Sequence, residues 1–379
     1  MNRNFILGAA LALAVAVSPA IATAQQTPAA APAATTVAIP IEFSGLLFPQ
    51  FIYGGPKGNG TRSANQFQLE RAYLTAKAKI GDRTSVRLTS DIFRLGGNTG
   101  YTMRVKFAYV QYDYWTNGAG FMGTNAQVRL GMQQTVINET EESYWPRYVA
   151  KIATERAGFF SPADLGVSTT FTLPGNTGEL FAEVANGPGY TSAENDRFKD
   201  YSLRLTLTPL GVTPQRALTI APWYYKGRVT SAVDANQGRK RDRMGVFAGF
   251  KTPAFMVGGD LAQATNATET PGPTGLVTND RSGTVVSAYT HLKPFAMRNP
   301  NGTKAWGILL RWDKVSGDDA YIPNGDFPVV EGKFLVAGLT HDVNSKLSWS
   351  LDWQQQSPDG VFAPGLDLRT YNLHVSAAF

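Results

Sequence analysis

Over long stretches of this chain every second residue is apolar, and that alternation restricts it to β-structure with one oily and one wet face. Ala72, Leu74, Ala76, Ala78 and Ile80 alternate with Arg71, Tyr73, Thr75, Lys77 and Lys79. Successive side chains of a strand point to opposite faces, so this segment is apolar on one side and basic on the other. Val86, Leu88 and Ile92 repeat the device against Arg87, Thr89 and Asp91. Val128, Leu130 and Met132 do so against Gln127, Arg129 and Gln133, and Leu203, Leu205 and Leu207 against Ser202, Arg204 and Thr206. Ile308 and Leu310 oppose Arg311 and Asp313, and Leu351 and Trp353 oppose Asp352 and Gln354. Helical runs with i, i+3, i+4 spacing are missing. Beyond Ile39 no apolar run reaches the roughly 18 residues of a spanning helix.

About sixteen such segments can be read, near 41–53, 66–80, 83–94, 101–115, 125–133, 167–173, 178–186, 199–208, 216–227, 242–251, 253–263, 282–292, 303–313, 332–343, 346–356 and 367–379. Their links alternate in length. Gly81-Asp82, 174–177, 209–215, Thr252 and Asn344-Ser345 are tight and 116–124 and 293–302 somewhat longer, whereas 54–65, 134–166, 187–198, 228–241, 264–281, 314–331 and 357–366 are long, a series broken by the short 95–100. An even strand count with short turns at one end and long loops at the other predicts a sixteen-stranded antiparallel transmembrane β-barrel of the bacterial outer membrane, with periplasmic turns and extracellular loops. Its neighbours there are outer-membrane lipid and lipopolysaccharide. Tyr112, Tyr114, Trp115, Trp223, Tyr224 and Tyr225 sit near segment ends, as an aromatic girdle requires.

Composition agrees. Only 17% of residues are charged, below the roughly 25% of an ordinary soluble domain. No Cys is present, which excludes a disulfide scaffold and thiolate chemistry. The formal charge of +6 is scattered, unlike the clustered basic stripe of a nucleic-acid binder. Residues 1–24 read as a secretory signal peptide, with Arg3, the apolar run Phe5 to Val17 and a small-x-small site at Ala22-Thr23-Ala24. Residues 25–38 are a Pro/Ala/Thr-rich flexible leader, and 39–379 form the barrel. Tyr371, Leu373, Val375, Ala377 and Phe379 alternate to a terminal aromatic, which resembles the signal read by the barrel assembly machinery.

Sixteen strands leave an aqueous lumen, so passive passage of small hydrophilic solutes is the expected function. The longest link, 134–166, follows the fifth strand and is the candidate inward loop. It carries Glu139, Glu141 and Glu142, then Arg147, Lys151 and Arg156. Carboxylates on one side of a constriction and cations on the other would select by charge and size. The wet face supplies Arg71, Arg87, Arg129, Arg204 and Arg311 as candidate pore-lining residues, which together favour anions.

Phe67 to Gly81, Val128 to Gly131 before the long loop, Glu155-Arg156, Val184 to Gly187 and Ala337 to Gln354 resemble the phosphate-selective porin O and P family. That resemblance implies a sixteen-stranded homotrimeric porin with an arginine-lined wall. By position the wall is Arg71, Arg87, Arg129, Arg204 and Arg311, and the loop group is Lys151 with Arg147 and Arg156. Anions such as phosphate are the implied solutes. The loop has one lysine and an acidic run before it, a departure from the family.

Two rivals are an outer-membrane barrel enzyme and a substrate-specific channel for sugars or other small molecules. An enzyme would have only His291, His341 and His374 as the usual base, and no Gly-x-Ser-x-Gly occurs. No His pair or calcium-loop pattern suggests a metal, and no cofactor is expected.

Overall fold

A computed structural model describes residues 39–56, 64–94, 100–116, 118, 123–194, 196–231, 237–272, 275–296, 305–317, 331–358 and 367–379. The signal-peptide and leader segments lie outside the described residues. Sixteen strands form one closed antiparallel barrel in which each strand pairs with its sequence neighbours. The first four are β1 (Ile41–Pro56), β2 (Ala64–Gly81), β3 (Thr84–Arg94) and β4 (Tyr101–Trp115). Then come β5 (Asn125–Gln134), β6 (Ala163–Thr172), β7 (Gly178–Ala185) and β8 (Asp200–Leu207). They are followed by β9 (Ala217–Thr230), β10 (Gly238–Lys251), β11 (Phe255–Gly272) and β12 (Gly275–Leu292). The last are β13 (Ala305–Gly317), β14 (Gly332–Asn344), β15 (Leu347–Pro358) and β16 (Leu368–Ala378).

Closure joins β1 to β16, where Gly45 and Phe379 exchange both backbone hydrogen bonds at 2.9 and 3.0 Å. The Phe379 ring lies over Gly45, and a Cβ there would sit 2.1 Å from it. A side chain at position 45 would have to push the exposed Phe379 ring aside.

The alternation sorts the faces as the sequence requires. Leu74, Leu88, Leu130, Leu203, Leu310 and Leu351 point outward and are exposed, while Thr89, Asp91, Arg204, Arg311, Asp313 and Asp352 point inward and are buried. An apolar exterior around a polar interior, with every described strand paired on both edges, is the arrangement a bilayer demands, because lipid cannot satisfy free backbone groups.

Two hairpins run further than their alternation suggests. The long link expected over 264–281 is mostly ladder, since β11 and β12 stay paired through Gly272 and Gly275. The 228–241 link likewise narrows to 231–237. Both faces of these extensions are polar, which erases the period of two, but Thr265, Thr268, Val277 and Thr278 retain strand preference. The girdle expectation also divides. Tyr112, Trp115 and Tyr224 are exposed, whereas Trp223 and Tyr225 are buried facing inward.

Two β-bulges shape the inner wall. In the β1–β2 ladder Phe48 pairs with Arg71 and Pro49 with Leu69, leaving Glu70 as the extra residue. Proline, which has no N–H to donate, is tolerated there. In the β3–β4 ladder Thr89 pairs with Phe107 and Ser90 with Val105, leaving Lys106 unpaired. A bulge lets two consecutive side chains share a face and re-aims them.

Candidate pore constriction

The segment between β5 and β6 contains two short helical turns, α1 (Asn138–Glu142) and α2 (Ala153–Arg156). Its neck is closed by Thr135, whose hydroxyl lies 2.9 Å from Asn138 Oδ1 and donates to the Ser161 carbonyl at 2.7 Å. Trp145 Nε1 closes the tip by donating to the Ala150 carbonyl at 2.7 Å. The segment is rich in apolar residues, and Val136, Ile137, Trp145, Ile152 and Phe159 are buried. They are not packed on each other alone. Tyr144 meets Phe247 of β10 with ring centres 5.1 Å apart, Trp145 meets Tyr289 of β12 at 5.2 Å, and Phe160 meets Trp223 of β9 at 5.5 Å.

Inward donors of the same wall hold the loop backbone. Arg243 Nε donates to the Phe159 carbonyl at 2.9 Å, Arg311 Nη1 to Lys151 at 2.8 Å and Gln354 to Val149 at 3.1 Å. Arg204 donates to the Val136 carbonyl and pairs with Glu179. The segment therefore lies inside the barrel against the β8–β15 wall. Space stays open beside β16, β1, β2, β3 and β4.

That space forms two cavities on either side of the loop tip, with Phe48, Arg147 and Tyr148 bordering both. One, of about 420 Å³, lies towards the short turns and is bordered by Ser44, Tyr73, Arg87 and Lys106. The other, of about 300 Å³, lies towards the long loops and is bordered by Glu70, Arg71, Lys151 and Arg156. Between the two cavities the Phe48 and Tyr148 rings pack against each other, with centres 6.3 Å apart.

The charges are not divided between two opposing sides. Arg147 bonds within its own loop to Glu142 at 2.5 Å and Glu155 at 2.6 Å, and Lys151 lies 3.7 Å from Glu155. Burial pushes the Glu155 carboxyl up, but Arg147 and Lys151 outweigh it and hold the group at about 2. Burial pushes Arg156 down to about 10, and its guanidinium lies 3.7 Å from Asp313 and 3.5 Å from the Phe334 ring centre. Glu139 is solvated, 3.8 Å from Arg129. Glu141 is buried, and burial followed by the neighbouring Asp260 raises it well above the ordinary carboxylate range.

Of the wall residues expected from sequence, Arg71 pairs with Asp91 at 3.0 Å and borders the loop-side cavity. Arg87 borders the turn-side cavity, bonded to Thr89 at 3.1 Å. Arg129 is tied to Gln111 at 3.0 Å. Arg204 and Arg311 face inward yet are covered by the loop, so their role in this geometry is to anchor it. The sequence reading overlooked Arg104, which pairs with Asp91 at 3.3 Å, and Lys106. Arg104 alternates with Met103 and Val105, a usable signal; the bulge hides Lys106.

The histidines are spread around the wall. His374 lies 3.4 Å from Asp352, His291 shares a 2.7 Å hydrogen bond with Thr340, and His341 stacks on Trp306 at 4.4 Å. Among the described residues no three metal-ligating side chains cluster.

No protein-family model and no curated protein matches the sequence. Solved structures do. The outer membrane channel DcaP of Acinetobacter baumannii is 14% identical, with a TM-score of 0.60 over 91% of this chain and 99% of that one. An anion-selective porin from Comamonas acidovorans is 12% identical, with a TM-score of 0.58 over 90% and 100%. OprB of Pseudomonas putida is 12% identical, with a TM-score of 0.58 over 89% and 94%. The likeness is one of fold, shared with several outer-membrane porins. With its closed sixteen-stranded barrel and apolar exterior, this chain is a β-barrel of the bacterial outer membrane.

Proposed function

We propose that the chain is a porin through which small hydrophilic solutes diffuse passively, that it favours anions, phosphate among them, and that it performs no chemical step. One observation carries the anion preference. Cations border the open cavities while several of their carboxylate partners are buried behind them. Arg87, Lys106 and Arg147 face the turn-side cavity against Glu142 alone, and Arg71, Arg147, Lys151 and Arg156 face the other against Glu70 alone. Asp91 and Asp313 are buried. A third cavity beside β13–β15 has three cations and two carboxylates. A low-dielectric wall focuses such a field and raises the local anion concentration.

A homotrimer is part of the proposal, supported by the family resemblance and by Vibrio cholerae OmpT, 10% identical with a TM-score of 0.51, whose structure is described as a trimer form. Recognition of the terminal Phe379 by the assembly machinery fits its place at the closing seam.

The reversal potential of the purified protein in a planar bilayer under a KCl gradient tests the preference. It is expected to favour chloride, and Lys151→Glu with Arg71→Glu should move it towards potassium. A wild-type potential that favours potassium would overturn the reading.

A further inference from the structure

We infer that the turn-side cavity is a binding subsite for aromatic carboxylates of the benzoate type, built by the bulge in β4. This deepens the anion-channel reading and rests on it. Strict alternation would turn Lys106 and Phe107 to opposite faces, but the bulge buries both on the inner wall. Lys106 Nζ lies 3.2 Å from the Tyr73 hydroxyl, 4.4 Å from the Tyr73 ring centre and 5.3 Å from that of Phe107. Arg87 lies 4.5 Å from the same Phe107 ring. Among the described residues neither Arg87 nor Lys106 has a carboxylate within 4.0 Å. Glu155 is close enough to feel Lys106, but it is bonded to Arg147.

The nearby carboxylates, Glu142 and Glu155, are both bonded to Arg147, so an incoming anion adds a partner that a largely desolvated ammonium lacks. The rest of the lining selects which anion. Tyr73 and Phe107 join Phe48 and Tyr148 to give the cavity aromatic walls, whereas the cavity beyond the loop, which shares only Phe48 and Tyr148 of these, is edged by Gln50, Gln68, Gln354 and Asn372. Phosphate needs donors on all sides, whereas much of this lining is aromatic. An aromatic carboxylate presents its two oxygens at one end to these cations and lays its ring against the aromatic walls. The volume of about 420 Å³ falls within the roughly 300–1,000 Å³ of small-molecule sites.

Block of chloride current through the full-length protein by benzoate, acetate and phosphate, compared in one bilayer, tests this. Benzoate should half-block at a concentration at least about tenfold lower than either other anion, a clear separation in affinity. Phe107→Leu, which removes the ring but keeps the bulk, should shrink that ratio towards one, and Lys106→Met should weaken benzoate block. Equal block by acetate or phosphate, or an unchanged ratio in Phe107→Leu, would overturn the subsite while leaving the anion channel standing. A potassium-favouring wild-type potential would instead remove the channel reading and the subsite together.

Discussion

Arg311→Ala is expected to raise single-channel conductance severalfold and to destabilise the barrel, because this one side chain holds the loop at several points. Its guanidinium is bonded to Asp313 at 2.7 and 2.8 Å, donates to the Lys151 carbonyl at 2.8 Å and lies 4.5 Å from the Trp145 ring centre. Removing it leaves the buried Asp313 with only the Ser287 hydroxyl at 2.7 Å and the more distant Arg156 at 3.7 Å. Breaking a buried pair on one side costs about 3–5 kcal/mol. Each aromatic contact between loop and wall is worth about 0.5–1.5 kcal/mol beyond its buried area, so no single one replaces the lost anchor. Conductance in a planar bilayer and urea unfolding in detergent check the two effects. A folded variant with wild-type conductance would show that apolar packing alone holds the loop.

Alkaline pH should loosen the same attachment, and Glu141→Gln should abolish the response. Glu141 of the loop and Asp260 of β11 are both buried, and their carboxyl groups lie within hydrogen-bonding reach of each other while no other described group donates to them. Tyr289, Tyr144, Arg311, Glu142 and Asp313 are the other ionisable groups around the pair. Because the Glu141 pKa is raised on folding, the native protein binds that proton more tightly than the unfolded chain. The associated stability is complete below the ordinary glutamate value, about 4.3, and is lost as pH rises towards the folded value. Glu155 behaves in the opposite sense. Its pKa is depressed, so its contribution is present above the ordinary value and disappears only as pH falls through about 2. The Arg147–Glu155 clamp therefore persists while the Glu141–Asp260 contact weakens. Conductance recorded from about pH 5 to about pH 9 should rise in the wild type and stay level in Glu141→Gln. A wild-type conductance that is flat over that range would contradict a proton-dependent contact.

The barrel was legible because each wall strand must satisfy two solvents at once. A period of two, as over Leu347 to Trp353, marks each two-faced strand, and the sixteen segments correspond to sixteen strands. Where a strand leaves lipid, as at the distal ends of β11 and β12, both faces turn polar and the signal ends before the ladder does. The constriction was harder to read for two reasons. Bulges at Glu70 and Lys106 break the rule that consecutive residues face opposite ways, so Lys106 and Phe107 could not be placed together from spacing. The fate of a charge also depends on contacts distant in sequence. Arg311 reads as pore lining by its phase, but a carbonyl 160 residues away covers it. The acidic and basic runs of the loop look like opposing banks in one dimension, while folding turns Arg147 back onto Glu142 and Glu155.

If solutes pass the loop tip, a group attached there must alter the current. Since the chain has no native cysteine, Tyr148→Cys provides a single reactive thiol on the loop tip that borders both cavities. A small charged methanethiosulfonate reagent added to an open channel should cut its current in discrete steps, reversed by a reducing agent. Current that is unchanged after complete labelling, verified by mass, would place the loop outside the path and contradict the account.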